Sequence, residues 1–117
     1  MDFNNNKPIY RQIVDYSFTL IISGKWLPGE RVPSVRELAA ELAVNSHTVL
    51  KAYEYLQTEG IIYPRRGMGF YLADDAASRV NDARRRDFFD NTLTTLFREM
   101  ELLGISIDDI VARYHGR

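Results

Sequence analysis

The stretch from Pro33 to Gly60 most constrains how this chain can fold, because it carries the pattern of two short amphipathic helices separated by a tight turn. Ser34 and Glu37 have the spacing of a capping box, which predicts that the first helix begins directly after Ser34. The second helix is expected to be capped by Asn45 or Ser46 and to end at Gly60. The apolar residues of both helices follow spacings of three, one and three, namely Val35, Leu38, Ala39 and Leu42, then Val49, Ala52, Tyr53 and Leu56. Two such helices meeting at a corner predict a helix-turn-helix.

A third helix is predicted before this pair, from Pro8 to the residues before Gly24. It carries two neighbouring apolar stripes, one with Ile9, Ile13, Tyr16 and Leu20 and one with Val14, Phe18 and Ile21. Both stripes need to be covered. The two candidates for that role are the helix-turn-helix and a partner subunit.

After Gly60 the apolar period changes from 3.6 to 2, which predicts a β-hairpin. The predicted strands are Ile61–Tyr63 and Phe70–Leu72, and residues 64–69 between them form a tip with two arginines and two glycines. Glycine permits positive φ and a close approach of the backbone to another surface. This hairpin is expected to be the wing of a winged helix, and Glu30–Val32 is a candidate edge strand.

The last third of the chain is predicted to be helical, first from about Ala76 to Gly104 and then after a cap formed by Ser106 and Asp109. The first half of the long helix looks polar, whereas the second half carries an apolar seam of Phe89, Leu93, Leu96, Phe97, Met100 and Leu103. Two helices cannot bury such a seam by themselves, so a second copy of the chain is expected to cover it. We therefore divide the chain into a winged helix-turn-helix domain, residues 1–73, and a two-helix dimerisation region, residues 74–117.

Composition limits the other classes of function. The 117 residues include no cysteine, which excludes disulfides and thiolate metal sites, and the two histidines lack the acidic cluster that a metal site would need. The longest apolar cluster, Tyr16–Ile22, is too short to span a bilayer and no cleavable leader is recognisable, so we expect a cytoplasmic protein without membrane contact. The net charge of −1 does not itself indicate nucleic-acid binding, since residues 1–73 sum to only +1 and residues 74–117 to −2.

A set of residues along most of the front domain forms a motif through its order and spacing. They are Gly24, Pro28-Gly29, Pro33-Ser34, Arg36, Leu38-Ala39, Val44-Asn45, Thr48-Val49, Ala52-Tyr53 and Glu59-Gly60. This pattern resembles the GntR family of bacterial transcription regulators, and the short tail is most similar to its YtrA subfamily. The resemblance implies a mainly α fold with a small β-hairpin, in which an N-terminal winged helix-turn-helix is followed by a short α-helical dimerisation tail.

The resemblance also implies a homodimer that binds a double-stranded operator with inverted half-sites, usually as a repressor, without a cofactor or metal. A small-molecule effector would be compatible with it, but the sequence identifies none. The residues expected to bind DNA, from the resemblance and from the basic wing tip, are Ser34, Arg36, Asn45, Ser46, His47, Thr48, Lys51, Arg65, Arg66 and Gly67. Many members of the family carry arginine at the positions of Ser46 and Leu50, so the bases that are read cannot be copied from them.

Several of these residues have a second interpretation. Asn45, Ser46 and Thr48 could serve only as helix caps, and Leu50 could contact a thymine methyl group or pack on the wing. Arg84–Arg86 could contact flanking phosphates or form a solvated face, and the aromatic residues of the tail could form a dimer core or an effector pocket. A winged-helix module that binds a protein and no DNA is the alternative function. An enzyme is not expected, because the chain has no phosphate-binding loop, nucleophile motif or metal set.

Overall fold

The computed structural model describes residues 3–4 and 6–117, and it confirms a mainly helical fold with one small antiparallel sheet. The elements are α1 (Ile9–Ile22), α2 (Val35–Leu42), α3 (Ser46–Thr58), β1 (Ile62–Arg65), β2 (Gly69–Leu72), α4 (Ala76–Asp87), α5 (Leu93–Leu103) and α6 (Ile107–His115). A π-helical segment, Phe88–Thr92, separates α4 from α5. The chain forms two compact units, of which the first ends at Asn81 and the second is Asp82–Arg117.

The core of the first unit is built where α1 and α2 both pack against α3. One face of α1 is fully buried, and the buried hydroxyl of Ser17 on this face donates to the carbonyl of Ile13 at 2.9 Å. The apolar positions that the 3.6 period predicted for α3 are all buried, namely Val49, Ala52, Tyr53 and Leu56. Hydrophobic burial of these faces therefore fixes the three helices around one centre.

Local signals set the ends of the two central helices. Ser34 and Glu37 form the predicted capping box, with each side chain accepting a backbone N–H of the other residue. Asn45 is the N-cap of α3, and its side chain accepts the N–H of His47 at 2.8 Å. Ala43 is the C-cap of α2 and has a left-handed backbone with φ of 55°, a conformation that glycine usually adopts. The turn between the helices is thus only three residues long.

The hairpin differs from its predicted boundaries. Pro64 and Arg65 belong to β1, where they pair with Phe70 and Gly69, so the turn is shorter than the six-residue tip that the sequence predicted. Proline is tolerated because β1 is an edge strand and its missing N–H breaks no ladder. On the other side of β2, the predicted edge segment is present as a short pairing, with a bridge between Arg31 and Tyr71 and a bond from the Val32 N–H to the Phe70 carbonyl at 2.9 Å.

The sequence predicted that the first half of the long helical stretch is polar, but this half also carries buried apolar side chains. Ala76, Val80 and Ala83 are buried at spacings of four and three along α4, a narrow stripe of small side chains that charged neighbours obscured. In the second unit, Ser106 and Asp109 form the predicted capping box at the start of α6. Within the described residues, every helix is too short or too polar to cross a bilayer.

Tyr53 joins the parts of the first unit. Its hydroxyl donates a 2.6 Å hydrogen bond to the carbonyl of Pro33, just before α2, and its ring makes edge contacts with Trp26 and with Phe70 on β2, at centroid distances of 6.5 and 5.5 Å. Burial raises the pKa of the hydroxyl, so this group remains a neutral donor. One side chain of α3 therefore contacts the start of α2 and the inner face of the wing.

We predict that Tyr53→Phe lowers the free energy of unfolding by about 1–3 kcal/mol, because the Pro33 carbonyl loses its donor while the ring contacts remain. Urea denaturation of the variant and the wild type measures this difference. Tyr53→Leu removes the aromatic edge contacts as well and should be less stable than Tyr53→Phe. Equal stability of Tyr53→Phe and the wild type would show that the hydroxyl contributes nothing.

Candidate nucleic-acid interface

The first group of predicted DNA-binding residues lies in the first turn of α2. Ser34 is the half-buried N-cap, and Arg36 is the second residue of the helix, with its side chain exposed. The unpaired N–H groups at such a helix end favour an anion such as phosphate. Arg36 adds a full positive charge at the same place.

Glu37 limits how much of this end is available. Hydrogen bonds from the Ser34 backbone and hydroxyl, followed by the nearby Arg31 guanidinium, lower the pKa of the Glu37 carboxyl. Arg31 donates to that carboxylate at 2.9 Å. The charge of Arg31 is therefore directed to the capping box, whereas Arg36 extends into solvent.

The second group lies in the first two turns of α3. Asn45 acts as a helix cap in the structure, because its side chain accepts the N–H of His47. Ser46 and His47 are exposed and Thr48 is half-buried. Leu50 is 40% exposed, which leaves an apolar surface beside these polar groups.

Lys51 continues the exposed side of α3 one turn after His47. Its ammonium lies over the ring of Tyr10 on α1, at 4.3 Å from the ring centroid. A cation at this distance from an aromatic face is attracted by the ring quadrupole and keeps its charge. The Lys51 side chain is thus held next to α1.

The two wing arginines occupy different positions. Arg65 ends β1 on the outer face of the sheet, where its guanidinium lies 4.3 Å from the centroid of Tyr71, whose ring stacks on that of Tyr63. Arg66 and Gly67 lie in the turn, which is closed by a bond from the Met68 N–H to the Arg65 carbonyl at 2.9 Å. Gly67 has a φ of +74° and open space around it. Glycine suits a turn that approaches another surface, because it permits this φ and has no side chain to keep the backbone away.

Arg31 connects the α2 end of the interface to the wing. It pairs with Tyr71 through its backbone, and its side chain crosses Gly69, where a Cβ would lie 3.1 Å from Nε of Arg31. The same side chain reaches Glu37. The wing base and the start of α2 are therefore held together by one arginine.

The candidate interface thus contains four residues to which the sequence assigned no binding role: Tyr10, Arg31, Tyr63 and Tyr71. Their contacts could not be derived from periodicity or motif, because the partners are distant in the chain. The alternation in the hairpin could have placed Tyr63, Arg65 and Tyr71 on one face had the register been known. Arg31 could be placed only after its pairing with β2.

The predicted tail residues lie in the second unit, and most of them are exposed. Met100 is buried and Leu93 half-buried, whereas Phe89, Leu96, Phe97 and Leu103 are 54%, 38%, 47% and 72% exposed. Arg85 approaches the ring of Phe89. Across the part of the chain that the structure describes, no group of three or more His, Cys, Asp or Glu residues could hold a metal ion.

The sequence and the fold of this chain are similar to those of known proteins. The family model of bacterial regulatory proteins, gntR family, matches residues 9–72, which span α1 to β2. The chain is similar to the transcriptional repressor YtrA of Bacillus subtilis, with 39% identity over 84 residues that cover 72% of this chain and 65% of YtrA.

Two solved structures extend the comparison. A GntR family transcriptional regulator from Listeria monocytogenes is 37% identical, with a TM-score of 0.70 over 98% of this chain and 99% of that chain. The DNA-binding domain of AraR, solved in complex with operator ORX1, is 30% identical with a TM-score of 0.57 over 62% of this chain and 93% of that chain. The likeness to AraR therefore concerns a domain seen on operator DNA.

The capping box predicts a stability difference that depends on pH. Because the folded pKa of Glu37 is lowered, the ionised carboxylate stabilises the fold above the unfolded pKa, and this contribution is lost as pH falls through the folded value. Glu37→Gln keeps the bond to the Ser34 N–H but carries no charge. The wild type should therefore be more stable than Glu37→Gln at pH 7, and the difference should shrink below about pH 4.5, as thermal unfolding at a series of pH values would show. A difference that is constant from pH 7 to pH 3 would contradict the role of the charge.

Proposed function

Because the chain belongs to the GntR family of bacterial regulatory proteins, we propose that it is a repressor that binds an inverted-repeat operator as a homodimer. DNA-binding transcriptional regulation, rather than catalysis, is the function of the family. The observation that carries the proposal is the exposed polar and basic side of the helix-turn-helix, from Arg36 through His47 to Lys51, opposite a buried side that is apolar except for the hydroxyl of Tyr53. Exposed basic groups beside helix N-termini favour the binding of phosphate.

In this proposal α3 enters the major groove with its N-terminal half first. His47 and Lys51 lie one turn apart on its exposed side and can reach base edges, while Ser46, Thr48 and the Asn45 cap lie near phosphates. Leu50 can contact a thymine methyl group. Arg36 and the Ser34 end of α2 bind a backbone phosphate beside the groove.

The wing contributes a second contact in the proposal. Arg66 and Gly67 at the turn approach the DNA closely, since glycine leaves the backbone accessible. Arg65 lies on the outer face of the hairpin, so its contribution is to a flanking phosphate. The operator contacts would then come from three elements that Tyr53 and Arg31 tie together.

The dimer is supported by the second unit. Phe89, Leu96, Phe97 and Leu103 expose large apolar side chains along one side of the π-helical segment and α5, and Ile107 on α6 is 59% exposed. Water contact with so much apolar surface is unfavourable, and a second copy would remove it. In the dimer the winged helix-turn-helix domain of each copy forms a reading head, and two such reading heads held at a fixed spacing fit the half-sites of an inverted repeat. Repression follows when such a dimer covers a promoter, and the cytoplasm, where the chromosome lies, is the proposed location.

We predict that Arg36→Ala and Lys51→Ala each weaken binding to an operator obtained by in vitro selection. The expected loss is about 1–3 kcal/mol for each base contact and a shallower salt dependence for each phosphate contact. Lys25→Ala, which removes the same charge from the turn after α1, serves as the control and should bind like the wild type. Fluorescence anisotropy at several salt concentrations measures all three, and equal affinity of Arg36→Ala, Lys51→Ala and Lys25→Ala would contradict the interface.

We predict a dimer in solution at micromolar concentration, which Phe97→Glu converts to a monomer because it places a charge in the apolar contact. Thr95→Glu introduces the same charge on the polar side of α5 and should remain a dimer. Size-exclusion chromatography with light scattering distinguishes these states. A monomeric wild type would contradict the proposed role of the tail.

A further inference from the structure

Two contacts between cations and aromatic rings join the first turn of α1 to the exposed side of α3. The ammonium of Lys51 lies 4.3 Å from the ring centroid of Tyr10, and the guanidinium carbon of Arg11 lies 4.6 Å from that of Tyr55. The contacts run in opposite directions, because α1 supplies the ring in the first and the cation in the second. The four side chains that make these contacts are half-buried or exposed, so neither contact is part of the packed core.

The Tyr10 contact involves Lys51, one of the two residues of α3 that the proposed function places at base edges. A lysine side chain has four rotatable bonds and loses much conformational freedom when it binds. The Tyr10 ring restricts that freedom before DNA arrives and leaves the ammonium charged. Since the ammonium has three N–H donors and Lys51 is exposed, donors remain directed toward solvent while one side meets the ring.

We propose that Tyr10 is a positioning residue for DNA recognition, which holds the Lys51 ammonium at one place along α3 and thereby selects the base or phosphate that the lysine meets. The inference rests on the proposed function and adds a residue that lies outside the helix-turn-helix. It makes the first turn of α1 part of the specificity of the reading head. Removal of the ring leaves the charge of Lys51 in place but lets it sample other contacts.

The opposite effect of Tyr10 on DNA affinity has a physical mechanism as well. If DNA drew Lys51 away from Tyr10, the ring would compete with DNA and its removal would tighten binding. If the ring and the DNA contact Lys51 together, removal weakens binding by about two- to fivefold, the factor that corresponds to an exposed cation–π contact. The proposal requires weaker binding.

The first experiment observes the contact in the wild-type protein. The chain has only three lysines, Lys7, Lys25 and Lys51, so methyl-labelled lysine signals are few and can be assigned with Lys51→Arg. The signal of Lys51 should be shifted upfield by the ring current of Tyr10. It should keep this shift in Tyr10→Phe and lose it in Tyr10→Leu, and a Lys51 signal at the position of the other two lysines in the wild type would overturn the proposal.

The second experiment is a double-mutant cycle on a duplex selected in vitro with the wild-type chain, compared with a scrambled duplex of the same composition. Tyr10→Leu should weaken binding to the selected duplex two- to fivefold in the presence of Lys51 and should have no effect in Lys51→Met. Tyr10→Phe should bind like the wild type. Tyr55→Leu is the matched control, because it removes the ring of the neighbouring contact and leaves the Lys51 contact intact.

The outcomes separate this inference from the proposed function. An equal effect of Tyr10→Leu in the wild-type and Lys51→Met backgrounds, or tighter binding by Tyr10→Leu, overturns the positioning role while operator binding stands. A wild type that does not distinguish the selected duplex from the scrambled one overturns the proposed function itself. Thermal unfolding of each variant identifies loss of folding, and if Tyr10→Leu unfolds, the wild-type and Tyr10→Phe spectra still decide whether the contact exists.

Discussion

The hydrogen bond from the Tyr53 hydroxyl to the Pro33 carbonyl joins the second helix of the helix-turn-helix to the segment that leads into the first. Tyr53 belongs to α3, Pro33 precedes α2, and the Phe70 ring that meets Tyr53 belongs to the wing. Tyr53 thus joins α3 to the start of α2 through its hydroxyl and to the wing through its ring. Burial raises the pKa of the Tyr53 hydroxyl, so this group is a neutral donor to the carbonyl.

Features that depend on neighbouring residues were predictable from sequence. The capping box of Ser34 and Glu37 and the buried side of α3 follow from spacings of three or four residues, which a helix converts directly into contacts. The predicted hairpin boundaries were wrong because Pro64 argues against a strand unless that strand lies at the edge of a sheet. Whether a strand lies at an edge depends on the whole sheet and does not follow from the residues of the strand itself. The buried stripe of α4 was missed because alanine gives little contrast with polar neighbours.

The candidate site divides in the same way. The motif that resembles the GntR family identified Arg36, Asn45 and Lys51 by position, and the structure places all three at helix starts or on an exposed side. The aromatic contacts of Lys51 and Arg65 could not be predicted from the sequence. Tyr10 and Tyr71 meet Lys51 and Arg65 only after α1 packs on α3 and β1 pairs with β2, and such tertiary contacts leave no periodic signal.

The contacts of the basic residues explain how a chain with a net charge of −1 can still bind DNA. Lys7, Arg31 and Arg79 pair with the carboxylates of Asp15, Glu37 and Asp75, so their charges are largely directed to the fold. Lys51 and Arg65 lie on aromatic rings, which orient a cation without neutralising it. Because binding to phosphate depends on local charge at the contact surface, the division between carboxylate and aromatic partners matters more than the sum of charges.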